Sequence, residues 1–256
     1  VGFEMPSFYI YPLALKYQRI KDITLEIARD LLLKHHLSRP LELGLREGIT
    51  DVSIYRDFNL LKAKYIWEES QELTTINGVS EINIKREVES YYFPEQGVVV
   101  HVAASKGYAE KTHRRWIEII FGTMIDRLPY SALELSDSDK LKFIEMLETI
   151  EEIEQDAKFE TGLDKIRFMD KDVGRKEYWT KYGFDKKPFE DVVGRTLLGK
   201  YVKIRIKGDR FTIYGREKDT RDFAIILSKF ISTLVKFRGQ PLCEKFGSQS
   251  GIQNHV

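Results

Sequence analysis

Lys203, Arg205, Lys207, Arg210 and Arg216 alternate with apolar residues in one short stretch, with Tyr214 among them. In a strand, successive side chains point to opposite faces. The spacing therefore sets Val202, Ile204, Ile206, Phe211 and Ile213 on one face, and the five cations with Thr212 and Tyr214 on the other. Cations bind phosphates by displacing counterions, and rings stack on unpaired bases. Like charges facing each other across strands cost stability, and a polyanion would offset that cost. Just upstream, Arg175, Lys176, Tyr178, Trp179, Lys181, Tyr182, Phe184, Lys186 and Lys187 mix cations with rings. A nucleic-acid reading gives the hairpin cations, Lys186 and Lys187 to phosphates, and Tyr214 and Trp179 to stacking. A competing reading is an edge hairpin that Lys and Arg guard against aggregation, with Trp179 and Phe184 pinning the loop to the core. An acidic protein partner is the third.

Lys111, His113, Arg114 and Arg115 form a second basic cluster in the first turns of an expected helix. Cations there oppose the helix dipole, which suits an anion-binding role for Arg114 and Arg115; a solvated helix face is the more common explanation of such a cluster. Enzyme signals are weak: no P-loop, dinucleotide glycine fingerprint or nucleophile elbow is present. His35 and His36 are adjacent and point to different helix faces. His101 sits in an apolar strand, as a core histidine does. Asp170 and Asp172 share parity after a strand without a third ligand. Glu81, Lys85, Glu87 and Glu89 do not fit the short Glu-x-Lys spacing of metal-dependent nucleases. The expectation is a chain without catalytic residues, metal or cofactor.

Charge is segregated along the chain. Residues 134–160 hold ten acids and three bases, and residues 175–216 hold twelve bases and five acids. Charge blocks bear on partners rather than on fold. The leading expectation is a nucleic-acid-binding subunit (DNA or RNA) of a larger complex. The alternative is a protein-interaction subunit docking a basic partner through an acidic helix over 137–155. A metal-dependent nuclease using Asp170 is the third.

The elements that would position these residues come from periodicity. Ser7 to Ala14 reads as a strand. A helix capped by Asp22 carries Ile23, Ile27, Leu31 and Leu32 on one face. Thr50 to Glu68 favours two short strands, although Leu60 to Trp67 could be helical. Val79 to Phe93 alternates as a strand, 94–97 is a turn, and Val98 to Ala104 is apolar on both parities, as in a strand covered on both faces. A helix from Tyr108 to Arg127 turns Trp116, Ile117, Ile120, Phe121, Met124 and Leu128 inward. Ser131 to Leu135 reads as a strand. Ser136 and Asp139 have capping-box spacing, and Leu141, Ile144, Leu147, Ile150 and Ile153 continue a helix. Lys165 to Asp170 reads as a strand, and Asp172 to Val193 as a loop. Leu197 to Lys207 and Arg210 to Arg216 form a hairpin around Gly208-Asp209. Asp219 caps a last helix carrying Phe223, Ile226, Leu227, Phe230, Ile231 and Leu234. The tail over 239–256 reads as mobile.

These elements make an α+β chain of two pseudo-repeated units, 1–128 and 129–238, each with antiparallel strands backed by long helices. The β-α-ββββ-α order resembles the TATA-binding-protein-like fold over Ser7 to Arg238. The resemblance implies strands in a curved sheet with helices on its convex back. It carries over no binding residue, since no matching Phe wedges are found.

With 42% apolar and 32% charged residues, the composition excludes a disordered, collagen-like or disulfide-scaffold chain. Cys243 alone makes neither a bridge nor a cysteine zinc site, so a reducing, cytoplasmic setting is expected. No apolar run of membrane-spanning length occurs, and Val1 to Met5 lacks the features of a signal peptide.

Overall fold

The computed structural model describes residues 7–13, 23–37, 46–76, 78–122, 131–156, 165–175, 177–181, 183, 186–214 and 220–238. The chain is an α+β protein. Its elements are β1 (Ser7–Pro12), α1 (Leu25–Leu33), β2 (Glu47–Tyr55), β3 (Leu60–Thr75), β4 (Gly78–Phe93), β5 (Val98–Ala103) and α2 (Lys106–Phe121). They continue with α3 (Asp137–Met146), β6 (Thr149–Asp156), β7 (Lys165–Met169), α4 (Glu177–Lys181), β8 (Asp191–Leu197), β9 (Tyr201–Lys207), β10 (Arg210–Tyr214) and α5 (Thr220–Arg238). The chain forms two compact units.

Residues 10–131 make one unit, with strand order β2-β3-β4-β5 and the end of β1 beside β5. The sheet face that meets α2 carries Tyr65, Trp67, Val88 and Val99, which with Ala109, Trp116 and Ile117 of α2 are each at most 2% exposed. Thr24 caps α1, two residues beyond the expected Asp22, its side chain accepting from the Ile27 amide. The buried helix positions are therefore Leu25, Ala28 and Leu32, while Ile27 is exposed. Ser105 caps α2, which runs to Phe121 and closes on Gly122 at φ +69°; Met124, Arg127 and Leu128 lie outside the described residues. The ambiguous stretch from Thr50 is two strands, and β3 is long.

Residues 7–9 and 132–238 make the other unit, with strand order β7-β6-β8-β9-β10 and the start of β1 beside β10. Phe230 of α5 packs edge-on against Phe8 and Phe211 of the sheet, and Phe143 of α3 joins it. Ser136 caps α3 with the expected box: its hydroxyl accepts from the Asp139 amide, and the Asp139 carboxylate accepts from the Ser136 amide. Ser136→Ala is expected to lower the unfolding free energy by about 1 kcal/mol in urea titration, with Ser136→Asp close to wild type. Equal midpoints for wild type and Ser136→Ala would contradict this cap's role.

Three expectations are corrected in this unit. Residues 132–135 form no strand, although Ala132, Leu133 and Leu135 are buried. The helix expected over 137–155 stops at Met146, and residues 149–156 are β6. Ile150 and Ile153 are three apart, as on a helix, because a bulge between Ile150 and Glu152 adds one residue to the strand. A bulge leaves one residue unpaired and re-aims its side chain, so period two is broken. Third, the end of the expected 172–193 loop is β8, with a 3-10 turn at Val173–Arg175 and α4 before it. Gly194 interrupts that strand's pattern because a Cβ there would sit 2.5 Å from the Thr149 carbonyl oxygen. Glycine in a strand marks such a close approach. Asp219, Arg216 and the 239–256 tail lie outside the described residues. No described helix is long and apolar enough to cross a membrane.

Candidate functional site

The β9–β10 hairpin forms in the expected register, Lys207 opposite Arg210 and Tyr214 opposite Lys203. Gly208 takes φ +58°, as its place in a two-residue loop requires. Val202, Ile204, Ile206, Phe211 and Ile213 are buried on the helix-covered face. The opposite face is not the open cationic surface that the alternation suggests. It is a charge ladder with acids contributed by neighbouring strands.

Arg205 donates from Nε to Asp191 of β8 at 2.9 Å and makes a second bond to the other carboxylate oxygen. Asp191 is 2% exposed, and Lys207 lies 3.7 Å from it. Those hydrogen bonds hold the Arg205 guanidinium above its ordinary range against the opposing effect of burial. Lys203 and Arg195 both bond Glu151. Burial pushes the Glu151 carboxyl up, but hydrogen bonds from Lys203 and Arg195 outweigh it and hold the group below the usual carboxylate range. Arg167 bonds Glu152, and Lys165 lies 3.1 Å from Glu154. The β6 bulge that broke the helical reading puts Glu151 and Glu152 within reach of this one face.

The remaining predicted contacts are scattered. Lys203 Nζ lies 5.5 Å over the Tyr214 ring, so that ring already carries a cation. Arg210 donates to Ser7 Oγ. Lys186 is exposed and Lys187 half-buried, with the Lys187 carbonyl accepting from Gln155 at 2.8 Å. Trp179 belongs to α4, but its side chain, like Arg216 as a whole, lies outside the described residues. A groove of about 550 Å³ on this face is lined by Glu151, Glu152 and Asp170 with Lys171 and Lys203, an unwelcoming setting for a phosphate.

The second basic cluster is also matched. Arg115 sits 3.2 Å from Glu47 and 2.9 Å from Glu118. Lys111 lies 3.5 Å from Glu69 and 4.6 Å over the Trp67 ring. The adjoining groove, about 420 Å³, sets Glu47, Glu110 and Glu118 against Lys111, Arg114 and Arg115. His113 is no surface cation. It is fully buried, its Nδ1 lies 3.1 Å from Nε2 of buried His101, and Tyr11 stacks on it at 4.2 Å. Ser90 Oγ lies 2.8 Å from His101 Nδ1. Burial lowers the His113 pKa to about 3, and burial with the neighbouring His113 holds His101 well below the ordinary histidine range. Among the described residues, no three His, Cys, Asp or Glu side chains gather as a metal site.

One surface stands apart from this internal matching. β2 pairs with β3 only as far as Trp67, and β5 pairs with β4 only from Glu89. Beyond those points, β3 and β4 continue as a two-stranded ribbon to the Thr75–Gly78 pair. Its root is clamped. Trp67 Nε1 donates to Glu69 at 2.6 Å, Arg86 lies 3.3 Å from Glu69, and the Arg86 guanidinium covers the Tyr108 ring. The Trp67 bond, with help from Arg86 and Lys111, keeps the Glu69 carboxyl below its usual range.

Outward from the root, Leu73, Val79 and Ile82 are 41%, 65% and 37% exposed, and Ile76 is fully exposed. Leu73, Ile82 and Ile84 share one ribbon face by pairing and parity. The charges between residues 68 and 87 are five carboxylates and two cations. Sequence reasoning identified the β4 strand and missed the ribbon. The signal was present in Asn77-Gly78 between apolar residues, the strongest short hairpin dipeptide. No protein-family model matches the sequence, and no curated protein matches it either.

Proposed function

We propose that this chain is a protein-interaction subunit, scaffolding or regulatory, whose docking element is the β3–β4 ribbon. The observation that carries this reading is that, beyond the last flanking strand, Leu73 and Ile82 are exposed on one ribbon face, Val79 on the other and Ile76 at the turn. An isolated two-stranded ribbon is marginally stable in water, and large apolar side chains left exposed together at the end of such a ribbon mark an interaction site. The excess of carboxylates along the ribbon disfavours nucleic acid and favours protein. This replaces the docking role expected of an acidic helix over 137–155, since that helix ends at Met146 and residues 149–155 belong to β6.

The test shortens the ribbon by joining Glu69 to Ile84, which face each other, through a two-residue Asn-Gly loop. The full chain is expected to migrate above its own mass in size-exclusion chromatography of native extract, and the shortened chain at its own mass. Identical elution of the two would overturn the reading. A second reading, nucleic-acid contact at the hairpin end, draws on the exposure of Lys207 and Arg210. It expects Lys207→Ala with Arg210→Ala to lower both affinity and salt slope in a binding titration with single- and double-stranded DNA and RNA.

A further inference from the structure

We infer that the ribbon's partner is a second copy of this chain, joined strand to strand along the outer edge of β4. Naming this partner rests on the docking role assigned to the ribbon. No described strand pairs with that edge before Glu89, and an uncovered edge presents backbone donors and acceptors that template another strand. The residues along it are self-complementary when run antiparallel about Asn83. Ile82 then faces Ile84 of the second copy, Glu81 faces Lys85 of the second copy, and Asn83 faces itself. The two-fold axis repeats the first two pairs, and the apolar and polar faces of each ribbon continue into the other.

The register is specific. Moving the axis to Ile84 would set Glu81 against Glu87 and Ile82 against Arg86; moving it to Ile82 leaves Glu81 facing Asn83. The outer edge of β3 offers no equivalent, because residues 68–75 hold three glutamates and no base. A second observation points the same way. Within one ribbon, Glu72 lies directly opposite Glu81, and like charges so placed are destabilising. The Ser70 hydroxyl donates to the Glu81 carboxylate but brings no charge. Lys85 of the second copy would stand on the other flank of Glu81 and supply the missing cation. Lys85 now lies 3.4 Å from Glu87, with both side chains at least half exposed, and such surface pairs hold their partners weakly. An isologous contact of this kind closes at two copies.

Sedimentation equilibrium of the purified full chain tests this. Wild type is expected to dimerise, and Glu81→Lys or Lys85→Glu alone to weaken the dimer about tenfold or more. Mixing the two single variants is expected to restore association, since one copy then presents only cations at positions 81 and 85 and the other only carboxylates. A chain carrying both substitutions is expected to dimerise with itself. A monomeric wild type, unaffected single variants or no association on mixing would each overturn the inference, with circular dichroism showing that the variants fold. If wild type is monomeric but the shortened ribbon still loses association with a different protein, the second-copy partner fails and the docking role stands. If shortening changes no association, both fail.

Discussion

Lowering the pH from 8 to 5 is expected to remove about 2 kcal/mol of unfolding free energy through His113, with His101 adding a loss of the same sign. Both are fully buried, and both pKa values are depressed in the folded state, His113 to about 3. The unfolded chain, with ordinary imidazoles near pH 6.5, therefore binds more protons than the folded one below that value. Their contribution is complete above pH 6.5 and drains as the pH falls toward the folded values. Most carboxylates remain ionised down to pH 5, so the slope between 6.5 and 5 belongs mainly to this pair. Urea titrations at half-unit pH intervals would show it. His113→Phe keeps a ring against Tyr11 and is expected to make the slope shallower by the His113 share. A flat stability profile between pH 7 and 5 would contradict the buried neutral pair.

Arg205→Ala is expected to destabilise the fold by about 3 kcal/mol, since removing the half-buried guanidinium strands the charge of buried Asp191. Asp191 keeps only Lys207, 3.7 Å away and 62% exposed, in place of a two-point guanidinium. Lys207→Ala is expected to cost less than about 1 kcal/mol, as exposed pairs do. Arg205→Met combined with Asp191→Leu should recover most of the loss, because the desolvated charge is gone. Chemical denaturation of the four proteins decides it. Equal stability of Arg205→Ala and wild type would return Arg205 to the role of a free phosphate contact.

That reversal shows what sequence reading could reach here. The β9–β10 hairpin was legible because alternation and Gly208-Asp209 are local signals. Its partners were not, because Glu151 and Asp191 come from other strands, β6 and β8, 52 residues before Lys203 and 14 before Arg205. Cations counted along one strand look unmatched until strand order is known. His113 was misplaced for a related reason. It lies among Lys111, Arg114 and Arg115 in sequence, but on the face of α2 that meets Tyr11 and His101. The β6 bulge imitated a helical repeat, and Gly194 masked β8. Trp116, Ile117 and Ile120 were legible as the buried face of α2 because helical spacing survives without tertiary context.

Amide hydrogen exchange tests most directly whether the ribbon, rather than the hairpin, meets the partner. The purified chain would be followed by mass spectrometry from low to high concentration, and again with nucleic acid at low salt. Slowed exchange over 79–87 as concentration rises, with 201–214 unchanged under both conditions, is the predicted result. Unchanged exchange in the ribbon together with protection of 201–214 by nucleic acid would contradict it.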